Sequence, residues 1–328
     1  MKTRVLGKTG LIVSEIGFGG WQAGGRFSIG GVPIGWAGTS DEETLASIRR
    51  ARELGTNFFD TSDIYGQGRS ESLLGLALAK HRRDVVISTK VGFVRSSRDS
   101  IERDYSRKHI FHAIDRSLHR LRTDYLDLYQ LHNPPMEVLR REDAQEALDR
   151  LQTDGKIRFW GISVATPAEG LEVVERGWGY TIQVLYNILN QSAAAELLPK
   201  AKEKRYGVIA RVPLASGLLS GRYHPGTRFP PDDVRQNFLT PRRLEEALEW
   251  VDEAKAIVGS SSNTLIQAAL RFVLANDAVS TTVPGARNPH QVETNASASG
   301  DQLPVEVVER LAERLGHYNF YEKHQIRV

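Results

Sequence analysis

Eight short apolar runs, each followed by a stretch of helical spacing, recur along the chain, and this alternation leaves few folds open. The runs are Ile16 to Gly19, Asn57 to Thr61, Val85 to Thr89, Tyr125 to Leu131, Ile157 to Ile162, Thr181 to Val184, Val208 to Val212 and Val279 to Val283. They read as buried runs, not as alternating ones, as expected of strands covered on both faces. Between them, Leu45, Ile48 and Ala51, then Ile110, Ala113, Ile114, Leu118 and Leu121, then Ala144, Ala147, Leu148 and Leu151 mark helix faces. Further helices are expected over Ser70 to Leu78, from Thr166, over Ala194 to Arg205, over about 242 to 258 and 264 to 276, from Pro289, and near Pro304 to Leu315. Ser40 with Glu43 and Thr166 with Glu169 have capping-box spacing. Eight strands separated by helices favour a closed (β/α)8 TIM barrel over an open doubly wound sheet. The alternation runs through residues 150 to 190 without a linker, so residues 1–328 are expected to form one domain. Residues 4 to 14, turning at Gly7-Lys8-Thr9-Gly10, predict an N-terminal β-hairpin ahead of the barrel.

Charge and composition narrow the functional classes. A net charge of +3 is mild and its Lys and Arg residues are dispersed, so nucleic acid is not implied as a partner. The chain has no cysteine, which excludes disulfides and thiolate-bound metals and fits a cytoplasmic location. No apolar run reaches the length of a membrane span, and the N-terminus lacks a signal-peptide core. A soluble protein with no membrane partner is expected.

In a barrel, chemistry gathers at the C-terminal ends of the strands. There the chain places Asp60 after the second strand, Lys90 after the third, His132 after the fourth and Ser163 after the fifth, with Gln183 in the sixth. Tyr65 follows Asp60 on the adjoining loop. Taken singly, each has a structural explanation: Asp60 or His132 capping a turn, Tyr65 packing, Lys90 solvated. Together on one rim, an aspartate, a tyrosine, a lysine and a histidine suit proton delivery to a carbonyl oxygen. A tyrosine titrates near 10, and an ammonium about 4 Å away at an effective dielectric of about 20 favours its phenolate by roughly 4 kcal/mol. Asp60 paired with Lys90 offsets part of this. The expected phenol is protonated at neutral pH but readier to give up its proton. No activated serine or cysteine is evident for acyl transfer, and one histidine with one aspartate is too little for a metal. His109 and His112, three apart on a helix, read as surface residues.

The stretches F-F-D-T-S-D-I-Y-G, V-V-I-S-T-K, D-L-Y-Q-L-H-N, W-G-I-S and P-G-A-R-N-P-H-Q-V-E-T-N resemble, in order and spacing, the aldo-keto reductase superfamily. The resemblance spans about residue 3 to about 316 and includes the opening hairpin and first strand. It implies NAD(P)H-dependent carbonyl reduction, with Tyr65 as general acid, Lys90 and Asp60 tuning it, and His132 orienting a small-molecule carbonyl substrate. Trp21, Tyr65, Phe93 and His132 would line the substrate side. The same resemblance implies cofactor contacts at Gly20, Trp21, Asp60, Ser163 and Gln183. Pro213, Leu214, Ser216, Gly217 and Leu219 fall on or beside the segment resembling a pyrophosphate-covering loop.

Three departures from the family pattern bear on the cofactor. Val164 stands where the family usually has asparagine, and Arg211 where an aromatic ring is expected to stack; a guanidinium plane also stacks on a ring. Gly285, Gln291 and Thr294 replace residues that many members use for a 2'-phosphate, leaving Arg287 as the obvious cation and Asn295 for the adenine. Arg287 precedes a helix N-terminus, itself an anion site, so NADPH is expected as the preferred cofactor with NADH use open. Potassium-channel β-subunits resemble the same family, so a cofactor-binding regulatory role is the alternative. A monomer or small homo-oligomer is expected in either case. The G-F-G-G-W-Q segment is not a dinucleotide fingerprint, because Gln22 stands where its third glycine belongs. Substrate choice is assigned to the loops Trp21 to Thr39, Phe93 to Arg107 and Gly221 to Thr240 and to the tail Gly316 to Val328.

Overall fold

The computed structural model describes residues 1–326, and in it the eight expected strands form one parallel sheet. They are β1 (Phe18–Gly19), β2 (Phe58–Asp60), β3 (Val86–Val91), β4 (Leu126–His132), β5 (Ile157–Ser163), β6 (Thr181–Leu185), β7 (Gly207–Arg211) and β8 (Val279–Thr282). Each pairs in parallel with the next. Parallel bridges from Ile16 to Thr282 and from Gly19 to Gly285 bring the two ends together and close the barrel. The first strand ends at Gly19 as expected but starts two residues later, because Ile16 makes only an isolated bridge to Thr282.

Helices α1 (Asp41–Glu53), α2 (Arg69–Leu78), α3 (Arg107–Leu121), α4 (Asp143–Thr153), α5 (Pro167–Arg176), α6 (Leu197–Glu203), α7 (Leu265–Ala275) and α8 (Pro289–Ala296) follow the strands in turn. Pro241–Val258 and Val305–Leu315 are additional helices. Thr166 and Glu169 form the full capping box, whereas at α1 only the serine half forms, Ser40 accepting from the Glu43 N–H. The helix α6 starts later than its spacing suggested. Pro199 is tolerated only in a first turn, so the helix begins at Leu197 after a separate 3-10 turn at Ser192–Ala194.

The hairpin pairs Thr3–Val5 with Ile12–Ser14 and seals the N-terminal end of the barrel. Leu6, Leu11 and Val13 pack against Phe58, Val86, Leu128 and Ile209, whose side chains fill the barrel's lower interior. Burying each such side chain is worth about 1.5–3 kcal/mol. At Gly7, with φ of 49°, a Cβ would meet the Gly207 nitrogen at 2.1 Å, so only glycine lets the hairpin lie this close. With that end plugged, the open end is the rim where the strands terminate.

Two short antiparallel ribbons, Ser28–Ile29 with Val32–Pro33 and Phe93–Arg95 with Ile101–Arg103, stand in loops that the sequence left without regular structure. His112 is exposed as expected, but His109 is half-buried, its Nδ1 3.9 Å from Asp104. No group of histidines and acids suited to a metal occurs among the described residues. No helix among them is long and apolar enough to cross a membrane.

Candidate active site

Register alone gathers the rim residues. Gly19 lies beside Asp60, Asp60 beside Ser88, Lys90 beside Gln130, His132 beside Ser163, and Ser163 beside Gln183. Lys90 is not at a strand's exposed end but one residue inside it, fully buried. A lone buried ammonium is costly, and here it is met by the Asp60 carboxylate at 2.5 Å and the Thr61 carbonyl at 2.7 Å. The other Asp60 oxygen accepts from Ser88 Oγ at 3.0 Å, Gln183 Nε2 at 2.9 Å and Gln130 Nε2 at 3.4 Å. Four strands therefore fix one ion pair.

Tyr65 sits above this pair, with Lys90 Nζ 5.2 Å from its ring centroid. Its ring is stacked on Trp21 and edge-on to His132. Burial pushes the Tyr65 phenol above its ordinary range, and the charges of Lys90 and Arg211 pull back only part of this. That corrects the expectation of a more acidic phenol: enclosure outweighs the ammonium. The phenol is firmly protonated at neutral pH. Burial, joined by Lys90, Arg211 and Arg103, holds the His132 imidazole well below its usual range, so it is neutral. Its Nδ1 lies 3.1 Å from Ser62 Oγ, and Phe93 closes on the ring at 4.7 Å.

These groups lie at or just beneath the floor of a cavity of about 780 Å³, within the range of ligand sites. Gly20, Trp21, Asp60, Tyr65, Phe93, His132, Gln183, Arg211, Pro213, Leu214, Ser216, Gly217, Gly285, Arg287, Gln291 and Asn295 all line it. Ser163 does not: it is buried behind Asn133, to which its hydroxyl donates at 3.2 Å. Leu219 is wholly in the core. Val164 contributes its carbonyl, which accepts from the buried Arg211 guanidinium at 3.1 Å. Gln291 is engaged by the Arg287 N–H at 3.0 Å, while the Arg287 side chain reaches the Ala37 carbonyl at 3.4 Å.

Sequence reasoning missed several residues here. Ser62, Ser88 and Gln130 are buried behind the candidate set, and Asn133 lines the cavity in the left-handed region with φ of 52°. Asn133, Ser88 and Gln130 stood inside the stretches that carry the resemblance, but periodicity assigns no role to polar residues inside or at the end of strands. Arg222 and Arg243 add cations to the wall besides Arg287.

A strap crosses the mouth. Val234 N–H donates to the Gly35 carbonyl at 2.9 Å, Ala37 N–H to Asp233 at 3.1 Å, and Asn237 Nδ2 to the Pro33 carbonyl at 2.7 Å. Arg235 pairs with Asp233 at 2.7 Å and lies 4.4 Å from the Trp36 ring and 4.7 Å from the Phe229 ring. Asp233 is fully buried, so Asp233→Ala leaves a buried charge uncompensated, at a cost of about 3–5 kcal/mol. Local opening absorbs that loss, so hydrogen exchange over residues 30–39 and 230–239 is expected to speed up roughly hundredfold or more. Unchanged exchange there would show that the ion pair does not hold the strap.

The match to known proteins agrees with this geometry. The model of the Aldo/keto reductase family matches residues 15–315. The chain belongs to the aldo-keto reductase family. It is 31% identical to the aldo-keto reductase YhdN of Bacillus subtilis, over 93% of this chain and 91% of that protein. It is 32% identical to a Schizosaccharomyces pombe protein named as a voltage-gated potassium channel subunit beta, over 95% of this chain and 92% of that one. Among solved structures, the holo form of an aldo-keto reductase from Bacillus halodurans is 30% identical, with a TM-score of 0.81 and 99% of both chains covered. The apo form of that reductase gives 0.72. Family membership makes the chain an oxidoreductase by class, of a family that uses nicotinamide cofactors, on a (β/α)8 barrel.

Proposed function

We propose that the protein reduces an aldehyde or ketone to the alcohol, reversibly, with NADPH as the preferred cofactor and Tyr65 as general acid. The observation that carries this reading is the convergence of the Tyr65 phenol, the buried Lys90–Asp60 pair and the neutral His132 on one cavity floor. A bound nicotinamide supplies the hydride. Tyr65 gives its proton to the carbonyl oxygen as that oxygen gains charge, and an alkoxide is a strong enough base to take a proton even from a phenol of raised pKa. Lys90 stabilises the phenolate left behind, and Asp60 keeps the ammonium aimed at it. His132 holds the oxygen by a hydrogen bond from its neutral ring. Trp21 and Phe93, apolar walls on either side, exclude water from the reacting atoms.

The residues present fit a dinucleotide. Trp21 and the Arg211 guanidinium would offer flat faces to a ring and Gln183 an amide, Ser216 and Gly217 would hold a pyrophosphate, and Arg287 with Asn295 would hold an adenosine phosphate end. Arg287→Ala removes one charged contact, worth about 1.5–3 kcal/mol, so NADPH efficiency is expected to fall about 10- to 100-fold with NADH little changed. Equal use of both cofactors, unaltered in that variant, overturns the NADPH assignment. The Schizosaccharomyces pombe relative's name supports a second reading, a non-catalytic NADP(H)-binding subunit. Turnover of simple aldehydes separates the two, and a panel of sugars, keto acids and ketones then narrows the substrate.

A further inference from the structure

A chain of three polar groups leads away from the cavity floor. Ser62 Oγ lies 3.1 Å from His132 Nδ1 and 3.3 Å from Asp63 Oδ1. Ser62 is the only hydrogen-bond partner of the Asp63 carboxyl group among the described residues, and also of His132 Nδ1. A serine hydroxyl has one hydrogen, so it serves only one of these neighbours as donor at a time. Whichever neighbour takes that hydrogen fixes the polarity of the whole chain.

We propose that Asp63, acting through Ser62, sets the tautomer of His132, so that Nε2 carries the hydrogen presented to a carbonyl oxygen. With Asp63 protonated, its O–H donates to Ser62 Oγ and Ser62 O–H donates to Nδ1. The ring hydrogen then resides on Nε2, facing the cavity. When Asp63 loses its proton to solvent, Ser62 O–H turns to the carboxylate. Nδ1 must then donate to Ser62 Oγ, the ring hydrogen passes by solvent exchange from Nε2 to Nδ1, and a lone pair faces the carbonyl oxygen. Asp63 is a positioning residue, and the inference rests on reading His132 as the donor to substrate.

The surroundings place this ionisation in the working range. Asp63 is half-buried. Facing it are Glu71 on α2, Arg116 and Arg120 on α3, Tyr105 ahead of α3, and Tyr129 and His132 on β4; its own N–H donates to the Lys90 carbonyl at 3.3 Å. Arg120 is committed to Glu71 at 2.6 Å, and Thr89 also donates to Glu71 at 2.6 Å. Tyr105 O–H donates to the His132 carbonyl at 2.7 Å, fixing the backbone beneath the ring. Burial first, then the Glu71 charge, push the Asp63 carboxyl up to about 8, against the opposing pull of Arg120 and Arg116. The carboxyl is therefore mostly protonated at pH 7 and mostly ionised at pH 9.

The test uses the ring nitrogen-15 shifts of His132 in the full chain, assigned by comparison with a His132→Gln variant and needing no substrate. The expected result is a tautomer change centred near pH 8, from hydrogen on Nε2 to hydrogen on Nδ1. It disappears in Asp63→Asn, whose amide still donates to Ser62 but does not ionise, and in Ser62→Ala, which breaks the chain. In parallel, kcat for carbonyl reduction is expected to fall about tenfold from pH 7 to pH 9 in the natural protein. That limb is absent in Asp63→Asn, with KM moving less than kcat. A His132 tautomer that stays constant across this range, or a change that persists in Asp63→Asn, overturns the proposal. A tautomer change seen in a protein that reduces no carbonyl supports the relay and removes the reductase reading instead.

Discussion

Tyr65→Phe is expected to lower kcat for carbonyl reduction by about 10²–10⁴-fold, the contribution typical of a positioned general acid. The ring contacts with Trp21 and His132 survive the change, as does the Lys90 ammonium over the ring face. Only the proton donor is lost. Fold and cofactor affinity should therefore match the natural protein, which separates this variant from one that loses activity by unfolding. Because burial raises the Tyr65 phenol above its ordinary range, its own titration should not shape the rate near neutral pH. Fluorescence titration with the cofactor, beside steady-state rates, makes the comparison. Full activity in this variant assigns the proton to another group.

The second large effect concerns stability. Lys90 is wholly enclosed and Asp60 nearly so, so Lys90→Met strands a carboxylate inside the barrel. Breaking a buried pair from one side costs about 3–5 kcal/mol, whereas replacing both partners by neutral groups is far milder. Ser88, Gln130 and Gln183 soften the loss by donating to Asp60. Urea unfolding should place Lys90→Met well below the natural protein and the double variant Asp60→Asn/Lys90→Met above the single. Both should lack activity, since neither has an ammonium beneath Tyr65. A double variant less stable than Lys90→Met would mean that the pair contributes little coupling to the fold.

The barrel was legible because eight buried runs and their helices repeat one pattern strongly enough to be read without tertiary information. The hairpin was legible through Gly7 and Gly10, and the rim set through residues placed at equivalent strand ends. What stayed hidden has physical reasons. The ribbons at Ser28–Ile29 and Phe93–Arg95 are too short for a period of two to appear. The helix α6 was shortened by Pro199, and the electrostatics of Tyr65 depended on enclosure, which no spacing reveals. Ser62 and Asp63 stood in plain view beside Asp60, yet their relation to His132 exists only once β2 and β4 share a barrel. The Asp233–Arg235 strap likewise joins loops nearly two hundred residues apart.

The most direct measurement follows the hydrogen itself. The purified protein is given an aldehyde and NADPH carrying deuterium at the transferable position of the nicotinamide, and the product is weighed by mass spectrometry. Alcohol bearing one deuterium at the carbinol carbon, formed by the natural protein and lost in Tyr65→Phe, is the predicted result. Tight NADPH binding with no deuterated alcohol from any aldehyde, ketone or sugar tried would contradict the catalytic reading.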